Sequence, residues 1–272
     1  MTLWLVGLGP GSLEYLTLRA AEVLKTSQAV LGYGPYVDLV ETWFPDPARL
    51  AIRGTLGQEQ TRAADAIRLA RDQGLRVALV SSGDATIYGM GGPLFQTLFE
   101  EGWDGQSPPV EVVPGVTAAL SANALLGAPL ADDLAVISLS DILTPWSVIA
   151  ERVEAAARAD FVVALYNPAS ATRRHQLPDA QGILLRYRSP DTLVALVRNA
   201  LRPDPRVQVT SLARLHLAEA DMLTLVIVGN RSTTRLGEAH LVSRRLAPES
   251  PRNGAAPPAA TRDARPPTGG PA

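Results

Sequence analysis

The chain alternates short apolar runs with segments of helical periodicity. The apolar runs predict buried strands at Leu3–Gly7, Ala29–Gly32, Leu75–Ser81, Val110–Val113, Leu134–Leu139, Phe161–Tyr166, Thr192–Val197 and Met222–Val228. Between two of them, Glu59–Asp72 has alanines and an isoleucine at helical spacing, and Gly74 follows as a C-cap. Thr17 is predicted to cap an earlier helix. Because continuous apolar strands separated by helices are buried on both faces, the pattern predicts an α/β fold with a largely parallel or mixed sheet.

The chain is predicted to contain two subdomains. A helix of small residues ends near Gly127–Asp133, and the glycine-rich loops lie before this point. We therefore expect α/β subdomains over residues 1–128 and 129–245, with a cleft between them. Residues 246–272 consist mainly of proline, alanine, glycine, arginine and threonine, which cannot bury enough apolar surface to fold. This tail is predicted to be disordered.

The composition of the chain argues against several classes of partner and site. Of the 272 residues, 46% are hydrophobic and 19% are charged, and the net charge is −2. A near-neutral chain gives no reason to expect nucleic acid or an anionic membrane as a partner. The absence of cysteine excludes disulfides, zinc–thiolate sites and a cysteine nucleophile. His175, His216 and His240 match no metal-ligand spacing, so no metal site is expected. The start, Met1 to Leu5, lacks the layout of a signal peptide, and the expected location is the cytoplasm.

The loop after the first strand, Gly7–Ser12, partly matches a dinucleotide fingerprint. Its third glycine position holds Ser12, and the second strand ends in Gly32-Tyr33 without an acidic residue for a ribose. These departures argue against a nicotinamide-dependent oxidoreductase and against the common Rossmann type of methyltransferase. By itself, the loop is equally consistent with a tight strand-to-helix turn.

Further polar and small residues follow later strands. In the loop Ser81–Met90, Asp84 is suited either to bind an amine or ribose or to cap a helix. In the loop Val113–Ala119, Thr117 is either a helix N-cap or part of a space for a flat group. Tyr166-Asn167-Pro168 and Arg198-Asn199-Ala200 end two later strands. Since strand ends line the ligand crevice of open α/β sheets, these loops predict a cleft floor.

Taken in order, these loops resemble the tetrapyrrole methylase family over about residues 1 to 245. The family's G-x-G-P-G, [SG]-[SG]-D-P, P-G-[ISV]-[TS] and V-G features correspond to Gly7–Gly11, Ser82–Asp84, Pro114–Thr117 and Val228-Gly229. Ala85 stands where the family has proline. The longer stretch Ala135–Trp146, with its S-L-S-D-x-L-T-P-W run, resembles the branch that methylates carbon 17 of a corrin-ring precursor.

The resemblance implies a two-subdomain α/β fold whose cleft holds S-adenosylmethionine, which leaves as S-adenosylhomocysteine. Carried over residue by residue, it implies cofactor contacts at Pro10, Ser82, Gly83, Asp84, Ile87, Thr117, Ala118, Asn167, Asn199 and Thr224. Asp84 and Tyr88 are the candidates for catalytic proton transfer. Arg198, Arg173 and Arg174 are the candidates for binding the carboxylates of a tetrapyrrole.

The implied activity is methylation of carbon 17 of precorrin-3B, or of cobalt-factor III, with ring contraction in cobalamin biosynthesis. The sequence leaves open whether the ring carries cobalt. A homodimer is expected from the resemblance. The alternatives are a sister methylase acting on another position or substrate, and a non-catalytic cofactor-binding subunit of the same fold.

Overall fold

A wholly parallel five-stranded sheet is built from the first part of the chain. The structure is a computed structural model that describes residues 2–170 and 172–244. The strands of this sheet are β1 (Thr2–Gly7), β2 (Ala29–Tyr33), β3 (Leu50–Gly54), β4 (Arg76–Ser81) and β5 (Val110–Val113). They lie in the order β3-β2-β4-β1-β5. Their carboxyl ends therefore meet at one edge of the sheet.

Helices cover both faces of this first sheet. They are α1 (Leu18–Thr26), α2 (Gly34–Trp43), α3 (Glu59–Arg71) and α4 (Gly91–Glu100). Helix α5 (Ala118–Leu126) and a two-residue strand, β6 (Gly127–Ala128), follow in the chain. Alternate residues of β1 belong to opposite cores: Leu3 and Leu5 pack with α3 and α4, while Trp4 and Val6 pack with α1 and α2. This two-sided burial explains why the strands are continuous apolar runs.

The second sheet is mixed. Its strands are β7 (Leu134–Ser138), β8 (Val162–Tyr166), β9 (Leu193–Arg198), β10 (Arg206–Ser211) and β11 (Thr224–Val228), in the order β10-β9-β11-β8-β7. Only β7 and β8 pair in parallel, and the other neighbours are antiparallel. Helices α6 (Trp146–Arg158) and α7 (Gln176–Leu185) pack on one face of this sheet. The short strands β12 (Thr234–Leu236) and β13 (His240–Val242) pair with each other, and β13 also pairs with β6.

The predicted α/β class is confirmed, and each predicted apolar run contains a strand whose ends differ by at most two residues. Thr17 caps α1 as predicted, because its hydroxyl accepts a hydrogen bond of 3.2 Å from the amide of Ala20. The pattern missed β3 and β10, which are edge strands with exposed positions. The tail predicted over residues 246–272 lies outside the described residues.

Helix α5 connects the two sheets. Its residues Ala119, Ala122 and Leu126 pack in the same core as β8, β9 and β11 of the second sheet. The predicted boundary after residue 128 assigns this helix to the first subdomain, and the boundary itself stays a prediction. The face of the second sheet that α5 covers is opposite the face covered by α6 and α7.

Three glycine-containing loops pack backbone to backbone at the carboxyl ends of β1, β4 and β5. Gly9 and Gly83 exchange two amide–carbonyl hydrogen bonds of 3.0 and 2.7 Å. A Cβ atom on Gly115 would lie 2.2 Å from the carbonyl oxygen of Gly83. One on Gly7 would lie 2.7 Å from both the Gly83 oxygen and the Gly115 nitrogen. No side chain fits between these loops, so glycine is required at Gly7 and Gly115.

We expect Gly115→Ala to lower the free energy of unfolding by about 1–3 kcal/mol, because the new methyl group overlaps backbone that cannot move without separating the loops. Urea denaturation of the purified protein measures the change. Gly182→Ala is the matched control: Gly182 is an exposed interior residue of α7, and a Cβ atom there would have no other atom within 4 Å. That substitution should raise stability by about 0.5–1 kcal/mol. Equal effects of the two substitutions would contradict the proposed packing constraint.

Candidate cofactor and substrate cavity

A cavity of about 320 Å³ lies between the carboxyl edge of the first sheet and the second sheet. Its lining comes from the loops after β1, β2, β3, β4 and β5, and from residues around the ends of β8 and β9 and the start of β11. Its volume falls within the range of about 300–1,000 Å³ that is typical of small-molecule sites. The described part of the chain therefore places its strand-end loops around one open cleft.

Nine of the ten predicted cofactor contacts line this cavity. They are Pro10, Ser82, Gly83, Ile87, Thr117, Ala118, Asn167, Asn199 and Thr224. The tenth, Asp84, lies in the same loop as Ser82 but is not part of the lining. These residues come from six different strand ends, so the fold brings together positions that are as far apart as Pro10 and Thr224 in the sequence.

Asp84 ties two of the loops together. Its Oδ1 accepts hydrogen bonds from the amide and the hydroxyl of Thr86, at 2.8 and 2.6 Å, and its Oδ2 accepts one from the amide of Gly115 at 3.1 Å. Partial burial by itself raises the pKa of this carboxyl group, but these hydrogen bonds outweigh it and hold the pKa below the ordinary value. Asp84 is thus an ionised clamp within a turn. It does not cap α4, which begins at Gly91. Its role in proton transfer stays a prediction.

Tyr88, the second predicted catalytic residue, lies at the cavity between the two sheets. Its hydroxyl donates a hydrogen bond of 3.0 Å to the carbonyl of Val136, and its ring lies 5.2 Å from the ring of Tyr166. Tyr88 also has a left-handed φ of 53°, which is unusual for a bulky side chain. Burial raises the pKa of Tyr88, so the group is protonated at neutral pH, and its single O–H is engaged by the carbonyl of Val136.

Tyr166 was not among the predicted site residues, although it precedes Asn167. It is almost fully buried, lines the cavity and ends β8. Its hydroxyl accepts a hydrogen bond of 2.9 Å from the amide of Ala119 and lies 2.7 Å from the hydroxyl of Thr117. Thr117 occupies the N-cap position of α5 but makes no side-chain cap bond, so the Tyr166 hydroxyl satisfies the helix terminus instead.

Two asparagines at the cavity have left-handed backbone conformations. Asn167 and Asn199 each have a φ of 52°, a conformation that asparagine tolerates better than most residues. The Asn167 side chain donates a hydrogen bond of 2.9 Å to the hydroxyl of Ser138. The side-chain amide of Asn199 has no protein hydrogen-bond partner within the described ranges, and it is therefore free to bind a ligand.

The three predicted substrate arginines do not line the cavity. Arg198 forms an ion pair with Asp221, with 2.8 Å between Nε and the carboxylate oxygen. Arg173 is 7% exposed and donates to the carbonyl of Asn167 at 3.0 Å, while Arg174 lies on the surface. Their role toward a substrate stays a prediction.

Two other arginines line the cavity, and the sequence reasoning missed both. Arg62 lies in the first turn of α3, and Arg202 follows β9. The Nε atom of Arg202 donates to the carbonyl of Pro10, and the hydroxyl of Ser12 donates to the carbonyl of Leu201 at 2.6 Å. These bonds tie the first loop to the second sheet. No sequence motif marks either arginine, because their positions depend on which strands become neighbours.

Residues 2–170 and 172–244 contain no group of three or more histidine, cysteine, aspartate or glutamate side chains placed to hold a metal ion. In the same ranges, no helix is long and apolar enough to cross a membrane.

The fold and the cavity loops define the class of protein. The family model of the tetrapyrrole (corrin/porphyrin) methylases matches residues 2–216, and the chain belongs to this family.

The chain is 46% identical over 232 residues to a Priestia megaterium protein named cobalt-factor III methyltransferase, covering 85% of this chain and 42% of that protein. It is 41% identical over 228 residues to a probable cobalt-factor III C(17)-methyltransferase of Salmonella typhimurium, covering 84% of this chain and 92% of that protein. A precorrin-3B C(17)-methyltransferase of a Sinorhizobium species is 39% identical over 85% of this chain and 90% of its own length.

Solved structures show the same fold. The crystal structure of the methyltransferase CobJ superposes with a TM-score of 0.80 and 34% identity, covering 89% of this chain and 99% of that one. A uroporphyrin-III C-methyltransferase of Thermus thermophilus in complex with S-adenosylhomocysteine has a TM-score of 0.64 and 26% identity, covering 84% and 92% of the two chains.

The Asp84 clamp predicts a pH-dependent contribution to stability. Because folding lowers the pKa of Asp84 below 3.8, the stabilisation is fully present above this value and is lost as the pH falls through the folded-state pKa. We expect Asp84→Asn to be less stable than the wild type at neutral pH and the difference between the two proteins to shrink below pH 3.8. Urea denaturation of both proteins across this range measures it. A difference that stays constant in acid would contradict the role of the charge.

Proposed function

We propose that this chain transfers a methyl group from S-adenosylmethionine to carbon 17 of a corrin-ring precursor, either precorrin-3B or cobalt-factor III, with ring contraction in cobalamin biosynthesis. The observation that carries this proposal is the similarity to C(17)-methyltransferases over nearly their whole length, at 41% and 39% identity. The cavity between the two sheets supports it, because nine of the ten residues expected to contact the cofactor line this cavity.

The cavity lining fits S-adenosylmethionine. Ala118 and Ala200 leave room for the flat adenine, and the amide of Asn199 has unused donors and acceptors. The hydroxyl of Thr224 is buried, donates to the carboxylate of Asp221 at 2.7 Å and accepts from the amide of Asp221 at 3.2 Å, so it can present only one acceptor lone pair. Ser82 donates to the Tyr36 hydroxyl at 2.9 Å and keeps its own acceptor capacity. When bound, the cofactor supplies a methyl group made electrophilic by the sulfonium.

The residues of this chain have to align the two reactants and exclude water. The three glycine loops hold Pro10, Gly83 and Thr117 at fixed positions, which is the main requirement for transfer between bound groups. Tyr88 is protonated and lies at the junction of the sheets, and its one O–H donates to the carbonyl of Val136. In this proposal Tyr88 donates to an oxygen of the ring in exchange for that carbonyl. Asp84 acts on the loops and not on the ring in this proposal, because it does not line the cavity and its hydrogen bonds to Thr86 and Gly115 hold it within the loops.

A sister methylase acting on another tetrapyrrole is the rival within the family. The uroporphyrin-III C-methyltransferase shares the fold at a TM-score of 0.64 but only 26% identity, compared with 0.80 and 34% for CobJ. The identities of 41% and 39% to relatives named C(17)-methyltransferases favour the carbon-17 branch. Relatives with names for the cobalt-containing and the metal-free ring are similarly distant, so both rings are substrates of the test described below.

The chain is further proposed to act in the cytoplasm as a homodimer, with a tetrapyrrole as its partner and with neither nucleic acid nor a membrane. The net charge of −2 supports the proposal that neither nucleic acid nor an anionic membrane is a partner. Light scattering tests the dimer, and a monomer at micromolar concentration would refute it.

The activity is tested by incubating the protein with methyl-labelled S-adenosylmethionine and, in separate reactions, precorrin-3B and cobalt-factor III. We expect one of these rings to gain a single labelled methyl group and to acquire the visible spectrum of a contracted ring. Mass spectrometry of the product and absorbance spectroscopy measure both changes, and uroporphyrinogen III serves as the control substrate. Transfer to the control alone would assign the chain to a sister activity. Cofactor binding without any transfer would favour the non-catalytic alternative.

A further inference from the structure

The residues that line one end of the cavity are not among the predicted cofactor contacts. Tyr33 ends β2 and Tyr36 follows it in α2, while Leu56, Glu59 and Arg62 follow β3. All predicted cofactor contacts instead come from the ends of β1, β4, β5, β8 and β9 and the start of β11. In the strand order β3-β2-β4-β1-β5, β2 and β3 form the edge farthest from β5. On the proposed function, this β2–β3 end of the cavity is where the ring substrate approaches the cofactor.

Arg62 is built into this end of the cavity. Its side chain is 6% exposed and donates hydrogen bonds to the carbonyl of Thr55 and to Glu59, the latter at 3.1 Å. Its stem lies against Gly54, where a Cβ atom would be 2.6 Å from the Cδ of Arg62, so glycine leaves the space that the arginine fills. Its Nε is buried without a hydrogen-bond partner. Arg49, Arg173 and Arg188 also have a buried Nε without a partner, so what distinguishes Arg62 among them is its place in the lining of the cavity.

Glu59 is the one acidic side chain among the described residues that line the cavity. Arg62 and the amide of Gly57 donate to its Oε1, each at 3.1 Å. Burial raises the pKa of Glu59, but the hydrogen bonds from its own amide, from Gly57 and from Arg62 together hold the pKa below the ordinary value. A carboxylate has about four acceptor sites, so Glu59 can still accept a hydrogen bond from a ligand.

The chemistry of the ring decides which of its groups can face Glu59. A carboxylate repels the acidic side chains at the edge of a tetrapyrrole, and it attracts groups that carry N–H or O–H. Beside it, the rings of Tyr33 and Tyr36 meet edge to face with centroids 5.3 Å apart, and Leu56 is 69% exposed. Together they form an apolar wall against which a flat conjugated ring can pack.

We propose that Glu59, held in place by Arg62, orients the macrocycle at the β2–β3 end of the cavity by accepting a hydrogen bond from an N–H or O–H group of the ring. Its negative charge keeps the carboxylate side chains of the ring away from this end. Glu59 is therefore a substrate-positioning group, and Arg62 acts through Glu59.

Helix α3 offers a matched control for testing this role. Glu59 and Arg62 form an i,i+3 pair at the cavity, and Asp65 and Arg68 form an i,i+3 pair on the same helix at 3.0 Å with an exposed arginine. We expect Glu59→Gln to reduce kcat/KM for the ring substrate by about ten- to a hundred-fold, the usual effect of losing a hydrogen bond to a charged group. The Kd for S-adenosylhomocysteine should change by less than about two-fold, and Asp65→Asn should leave both quantities unchanged.

A binding titration separates this inference from the proposed reaction. Fluorescence titration with an octacarboxylic porphyrin, which carries inner N–H groups, should give weaker binding for Glu59→Gln than for the wild type or Asp65→Asn. If the wild type transfers no methyl group, the proposed reaction fails, and the titration still decides the role of Glu59. Three results would overturn the inference: equal ring binding by wild type and Glu59→Gln, a parallel loss of S-adenosylhomocysteine binding, or an equal effect of Asp65→Asn.

Discussion

Direct backbone packing of the loops after β1, β4 and β5 is the constraint on which the cavity depends. Gly9 and Gly83 are joined by two hydrogen bonds, and Gly7 and Gly115 leave no space for a side chain between the loops. Asp84 adds a charged clamp from the β4 loop to Gly115. Because each loop contacts the other two through rigid backbone, none can shift alone, and the residues that they present to the cavity stay in register.

The second sheet is attached to this cluster of loops by polar contacts whose partners lie far apart in the sequence. Tyr166 satisfies the start of α5, and Arg202 bonds to the carbonyl of Pro10. Helix α5 packs its small residues on the second sheet while its preceding loop belongs to the first. The cavity therefore has walls from both sheets, as a site for two reactants requires, since alignment between bound groups accounts for much of the rate of transfer.

Three charged side chains line the cavity among the described residues, and hydrogen bonds hold each of them in place. Glu59 and Arg62 form one pair at the β2–β3 end, and Arg202 lies near the first loop. The three arginines selected from the sequence do not line the cavity: Arg173 donates to the carbonyl of Asn167, Arg198 pairs with Asp221, and Arg174 lies on the surface. The proposed carboxylate-rich substrate would meet a surface on which the fold places one acidic and two basic side chains of the described residues. Such a surface can distinguish one edge of a ring from another.

The sequence by itself determined the α/β class, the position of most strands and the loops that surround the cavity. It could do so because strands buried on both faces must be apolar along their length, and because glycines that touch neighbouring backbone cannot be replaced. Edge strands such as β3 and β10 carry a weaker pattern, since only part of each is buried. The tertiary structure alone decided that Tyr166 caps α5 and that Arg62 and Glu59 line the cavity. These roles depend on the lateral order of the strands and on distances between residues far apart in the chain, which local periodicity does not encode.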